Sequence, residues 1–231
     1  MKKDSIGNRL KGNYELRQRQ KLIRRTPVII RLDGRAFHTV TKKCEKPFDA
    51  IFSNSINHTA LELFSEIQGA KCAYCQSDEI SILVTDFDKL TTEAWFDYNK
   101  SKIESISAGI ASATFTSHWC QEGEIAVFDS RSFNIPKEEV CNYFIWRQQD
   151  WVRNSIHMYA RSLYSHKELQ NKNQSDMHEM IHAKGLNWAD LDDRWKNGSF
   201  IYSNGNLCLE HNITFIKCRD IIEGLLIPEE D

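Results

Sequence analysis

The apolar positions along the chain fall into short runs separated by turn residues, and their spacing changes with the element each predicts. Residues 27–33 (Pro-Val-Ile-Ile-Arg-Leu-Asp) read as a strand ending at Asp33-Gly34. Pro47-Phe48-Asp49 then opens a helix with Asp49 as its N-cap; Phe52, Ile56, Leu63, Phe64 and Ile67 line one face, and Gly69 stops it. Two β-type runs follow, residues 71–76 and 80–85, joined through Ser77-Asp78-Glu79. A helix is predicted from about residue 92 to 116, with Trp95, Ile103, Ile106 and Ile110 on its core side, and a strand over 124–128. This β-α-β-β-α-β order is the split arrangement of a ferredoxin-like sheet, with helices on one face and the other left for substrate.

Residues 137–165 carry one long helical pattern. A polar helix over 175–185 and a shorter one over 188–196 come next, and Asn204-Gly205 joins two strands at 200–203 and 207–209 as a hairpin turn. No repeat or low-complexity linker interrupts the chain. The reading is an α/β (α+β) protein, with a catalytic sheet over residues 1–135 and a helical C-terminal part over 136–231 packed on it.

The 231 residues are 41% hydrophobic and 27% charged, as in an ordinary globular protein. No apolar run is long enough to span a bilayer, and the first residues carry no secretory pattern, so a cytoplasmic location without membrane contact is expected. Seven cysteines at scattered spacings fit a reducing compartment rather than a disulfide framework. Cys72 and Cys75, within one strand, would face opposite sides and serve packing rather than zinc. Residues 1–25 hold nine basic side chains against two acidic ones, while the whole chain has a net charge of −2. Such a basic arm suits a phosphate-rich partner, or else forms a solvated helix face.

The chemistry suggested by these elements rests on two carboxylates. Asp33 ends the first strand and Asp78 sits in the turn between the next two, so adjacent strands would bring both to one end of the sheet. Paired carboxylates suit magnesium, with the Gly34 carbonyl as a further oxygen, and two such ions would clamp an in-line displacement. Arg31, Arg35, His38 and Lys46 surround Asp33 in sequence and would suit triphosphate oxygens. Ordinary turn chemistry and plain ion pairs account for the same residues equally simply.

The run Arg31-Leu32-Asp33-Gly34-Arg35-Ala36-Phe37-His38 together with Gln76-Ser77-Asp78-Glu79 resembles the tRNA(His) guanylyltransferase family, including its guanylyltransferase-like members that extend RNA in the 3′–5′ direction. The resemblance continues at Leu10-Lys11, Tyr14-Glu15, Lys46-Pro47, Phe128-Asp129-Ser130-Arg131 and Trp146-Arg147-Gln148, covering roughly residues 5–205 in collinear order. It implies a polymerase palm-like fold and two Mg2+ ions held by Asp33, the Gly34 carbonyl and Asp78, with Asp33, Asp78 and the following Glu79 as the catalytic residues. It also implies nucleotide binding by Asp33, Gly34, Arg35, Ala36, Phe37, His38, Lys46, Ser77 and Asp78. Contacts to RNA or phosphate fall on Arg31, Lys102, Arg147, Arg153 and Asn154.

The implied reaction activates a tRNA 5′-monophosphate with ATP and then adds a GTP-derived nucleotide to the 5′ end. It would serve tRNA(His) maturation or 5′-end repair, in a homo-oligomer such as the tetramers common in the family. Where eukaryotic members carry His-Ile-Asn, this chain has Val152-Arg153-Asn154, which resembles the archaeal and bacterial members. Two other readings stay open: a two-metal nucleotidyltransferase or cyclase acting on small nucleotides, and an RNA-binding relative that does not catalyse.

Overall fold

A computed structural model describes residues 5–119 and 124–228. Six strands form one antiparallel sheet: β1 (Val28–Gly34), β2 (Ala70–Gln76), β3 (Glu79–Val84), β4 (Phe128–Asn134), β5 (Ser199–Ser203) and β6 (Leu207–Glu210), in the order β4-β1-β3-β2-β5-β6. Helices α1 (Ala50–Glu66) and α2 (Lys100–Trp119) connect the first four strands in the expected split βαββαβ order. The Asp49 carboxylate caps α1 by accepting from the Phe52 amide at 2.9 Å.

The alternation of side chains along β1 builds two cores at once. Val28, Ile30 and Leu32 face α1 and α2, together with Ile80, Ile82 and Val84 of β3. Phe37, Phe52, Phe115 and Phe128 close that layer as a cluster of rings, with centroids 4.9–6.1 Å apart. Ile29 and Leu83 point the other way, toward α3 (Lys137–Leu163), where Val140, Phe144 and Phe215 cover them. The second face is therefore not left open as expected. Apolar side chains fill most of it, and only its Gly34 end carries polar groups: Arg31, Asp33, Gln76 and Glu79.

Other boundaries move for physical reasons. The stretch over 92–99 is not α-helical: it holds only a short turn at Trp95–Tyr98 in which Phe96, Asp97 and Tyr98 all adopt left-handed backbone angles, and α2 begins only at Lys100. Ile106 lies on the outer side of that helix and is exposed. The strand expected over 124–128 starts at Phe128 instead, since its ladder to β1 runs from Phe128 opposite Gly34 to Asn134 opposite Val28. The short helix over 188–196 divides into a turn at Trp188–Asp190 and a helix at Asp193–Asn197. The polar helix α4 (Gln174–Ala183) and the hairpin at Asn204-Gly205 form as expected, and β5 pairs with β2, returning the C-terminal half to the same sheet. Cys72 and Cys75 are buried on opposite faces as free thiols, and burial pushes both well above the usual thiol range.

Three of the nine basic residues of the arm are structural: Lys21, Arg24 and Arg25. Arg24 donates to the fully buried Asp86, whose other oxygen accepts from the Arg25 amide at 2.8 Å. Lys21 pairs with Asp97, and the Arg25 guanidinium donates to the carbonyls of Lys89 and Leu90. These contacts sit at the Val28 end of the sheet, opposite Gly34; Lys2 and Lys3 lie outside the described residues.

Candidate active site

Strand register brings the two predicted aspartates together. Gln76 and Glu79 are cross-strand partners, so Ser77-Asp78 is a two-residue hairpin loop, with Ser77 at φ 49°. The Gly34 amide donates to the Asp78 carbonyl at 3.1 Å, tying the end of β1 to that loop. A side chain at Gly34 would not fit, because an added Cβ would meet the Phe37 ring at 2.4–2.7 Å. Ala36 then takes a left-handed turn at φ 55°, which swings Phe37 back into the aromatic core while Arg35 and His38 stay exposed.

The site is rich in acid. Asp33 faces Glu79 across one strand pair and Asp129 across the other. Burial first, then the charges of Glu79 and Asp129, push the Asp33 carboxyl above its ordinary value. Burial also raises Asp78, with Asp33 adding to it. Neither has a cationic partner at ion-pair distance among the described residues, whereas Asp129 pairs with Arg131 at 3.2 Å. Two uncompensated carboxylates beside the Gly34 carbonyl form a hard oxygen set that fits magnesium, which usually takes one or two carboxylates and leaves further positions to water and phosphate. No cluster of three His, Cys, Asp or Glu suited to a metal occurs among the described residues.

Glu79 has a different environment. It is 5% exposed, and its oxygens accept from Arg147 Nε at 2.7 Å and Nη2 at 2.8 Å. Gln76 donates to it at 3.0 Å, and Arg31 Nε lies 3.0 Å away. Every oxygen of Glu79 is thus taken up by protein partners, which makes it a positioning residue for the hairpin rather than a free acid. Arg147 is equally buried, with a further bond to Asp150 at 3.0 Å, and its side chain lines the cleft over this end of the sheet. Arg31 lies at ion-pair distance from Glu79 and lines the same cleft.

A cleft of 610 Å³ opens over this end of the sheet, walled by Asp33, Ser77 and Asp78 on one side and by Arg153, Asn154 and Arg161 of α3 on the other. A second cleft of 250 Å³ adjoins it at Ser77 and Asp78, lined by His38, Lys46 and Pro47. His157 and Met158 also line the larger cleft, and sequence reasoning missed them for the site; the signal was their spacing of three and four residues from Asn154 and Arg161 on one helix. Lys102 stands apart, in the first turn of α2 with its ammonium 5.7 Å from the Phe96 ring, near the other end of the sheet. Phe37 is 3% exposed and offers the clefts little beyond its backbone and ring edge.

Residues 8–136 match the family model described as "Thg1: tRNAHis guanylyltransferase". The chain belongs to that family. A solved structure described as a bacterial tRNA(His) guanylyltransferase (Thg1)-like protein in complex with ATP superposes with a TM-score of 0.92 at 44% identity, covering 96% of this chain and 99% of that one. The corresponding complex with GTP gives a TM-score of 0.84 at 42% identity with the same coverage. A probable tRNA(His) guanylyltransferase of Dictyostelium discoideum is 28% identical over 231 residues, 90% of this chain and 88% of that protein. As a member of the family the chain is a nucleotidyltransferase, and its sheet is the palm-like sheet of the fold.

Proposed function

We propose that this enzyme adds a GTP-derived nucleotide to the 5′ end of tRNA in the 3′–5′ direction, at the cleft between the Ser77-Asp78 hairpin and α3. The observation that carries the reading is the convergence of Asp33 and Asp78, two raised and uncompensated carboxylates tied together through the Gly34 amide at the mouth of a 610 Å³ cleft. Asp33, the Gly34 carbonyl and Asp78 would hold magnesium, which when bound neutralises phosphate charge and lowers the barrier to in-line displacement.

The chain's own residues then have positional work. Lys46 and His38 line the smaller cleft beside Asp78, where a nucleoside triphosphate has cationic partners for its phosphates. Arg153, Asn154 and Arg161 face them across the larger cleft and suit the 5′-phosphate of an RNA. Activation joins a 5′-phosphate oxygen of the RNA to the α-phosphorus of ATP and expels pyrophosphate. Addition joins the 3′-oxygen of GTP to the activated RNA phosphorus, with AMP leaving. ATP and GTP are each bound in a solved relative, which supports both as substrates here.

The exposed Ile6, Leu10 and Tyr14, spaced four residues apart, support association with further copies, as a tetramer in keeping with the family. The absence of a helix able to cross a membrane, among the described residues, is consistent with work on tRNA in the cytoplasm.

The test uses magnesium, ATP, labelled GTP and two 5′-monophosphorylated tRNAs: tRNA(His) lacking its extra guanosine, and a different tRNA missing its first paired nucleotide. Label on either, lost in Asp33→Ala, is the expected result, and the preferred tRNA separates maturation from repair. No label on either, with nucleotide still bound, would leave only a small-nucleotide enzyme.

A further inference from the structure

Beyond the catalytic cleft, α3 carries a second groove of 600 Å³ on its other flank. The two share one residue, Arg153, which lines both. The groove centres on Trp146, which is 49% exposed although its neighbours on α3 are buried. Its indole is held in place, with the Tyr143 ring edge-on at 5.9 Å and the Arg147 guanidinium carbon 4.5 Å from its centroid. A tryptophan fixed by protein on one side and open to solvent on the other offers a flat apolar face that nothing among the described residues covers. Around it stand Gln149 and Gln174, both exposed, whose amides make no hydrogen bond among the described residues. Ile145 and Ile216 complete the floor, and no carboxylate lines the groove.

We propose that this groove binds the unpaired 3′-terminal nucleotides of the RNA whose 5′ end occupies the catalytic cleft. The inference rests on the RNA reading given above. At the end of an RNA helix the two strands leave side by side. A helix end directed into the cleft at Asp33 and Asp78 therefore sends the overhang of its other strand into the space across Arg153. The chemistry fits single-stranded RNA: an immobilised aromatic for a base to stack on, free amides for base edges, and for the backbone the Arg153 guanidinium, half-exposed and oriented by its bond to Asp150 at 2.6 Å. Base edges differ in their donors and acceptors, and the amides of Gln149 and Gln174 each offer both.

The experiment compares two 5′-monophosphorylated hairpin RNAs, one blunt and one with a four-nucleotide 3′ overhang, by fluorescence anisotropy with the full chain. The native protein is expected to prefer the overhang by about tenfold, in line with the stacking of a single base. Trp146→Ala should bring that ratio close to one. The ratio, rather than either affinity, is the readout, because Trp146 touches Arg147 and its loss could weaken both RNAs together. If Trp146→Ala does not fold, the double variant Gln149→Ala and Gln174→Ala carries the same comparison. Equal binding and extension of both hairpins by the native protein would overturn this inference and leave the proposed activity intact. Failure to bind or extend either hairpin would remove the activity and the inference together. An unchanged preference in Trp146→Ala, or a smaller assembly mass for that variant, would also overturn it, the latter by assigning the groove to a contact between copies.

Discussion

Replacing Arg147 by methionine isolates the role of the buried pair beneath the hairpin. The change removes two hydrogen bonds, at 2.7 and 2.8 Å, from a carboxylate that is 5% exposed, and leaves Arg31 as its remaining cation at 3.0 Å. Breaking a buried pair by removing one partner costs about 3–5 kcal/mol, because the other charge stays desolvated. With Arg31 still in place, the lower end of that range applies, a fall of about 6–12 °C in Tm for a chain of this length. Glu79→Met should cost at least as much, since it strands Arg147 in the same pocket. The double variant should recover about 2 kcal/mol or more of the summed loss, because an apolar pair of similar volume needs no compensation. Urea unfolding of the four proteins, with equal m-values, measures this directly. Strictly additive losses, or single losses below about 1 kcal/mol, would refute the view that Glu79 and Arg147 form one buried unit. A companion measurement addresses function. Glu79→Gln should keep magnesium-dependent ATP binding within about threefold, under 1 kcal/mol, because Glu79 is engaged by arginines. Abolished binding in a stable Glu79→Gln protein would show that Glu79 reaches the metal after all.

Other expectations follow from the same geometry. Gly34→Ala should lower stability by about 1–3 kcal/mol and impair nucleotide binding, since the new methyl must displace Phe37 from the ring cluster; a crystal structure and calorimetric titration would check both. Without magnesium, Asp78→Asn should be more stable than the native protein at neutral pH. The folded chain holds protons on Asp33 and Asp78 more tightly than the unfolded one, so stability falls as pH rises from the ordinary aspartate value through the raised ones; melting curves at stepped pH should show that slope flattened in the variant. Lys102→Ala, at the far end of α2, should change ATP affinity by less than about twofold, measured by the same titration. Removing magnesium with EDTA in the presence of ATP should lower Tm, by an amount equivalent to about 2.7 kcal/mol when the nucleotide was at a hundred times its Kd.

The sequence carried the parts of this fold that depend on periodic burial. The strands before Asp33 and around Ser77-Asp78 are apolar on both faces, so their runs stand out, and the hairpin loop places Asp78 without further information. The β4 ladder was misplaced because its residues, Phe-Asp-Ser-Arg-Ser-Phe-Asn, are largely polar on an edge strand, while the apolar Ile125 and Val127 just before it are exposed. The pairing of Arg147 with Glu79 was not legible, because a charge in a sequence motif looks the same whether it meets a substrate or a partner sixty-eight residues away. The place of Lys102 was not legible because nothing local fixes the distance from the start of α2 to the Gly34 end of the sheet. The left-handed residues 96–98 carry no glycine to announce them, so the helix before Lys100 was drawn too long.

The contacts of Arg24 and Arg25 bear on how the chain can be cut. Asp86 is wholly enclosed, and its hydrogen bonds come from two residues that precede the first strand. A shortened protein beginning at Pro27 would keep all six strands and the complete cleft, yet would bury a carboxylate with no counter-charge. Such a fragment should express as inclusion material, whereas one beginning at Gln20 should remain soluble. The end of the basic arm is thus a closing latch for the sheet, and a viable shortened enzyme should start well before its first strand.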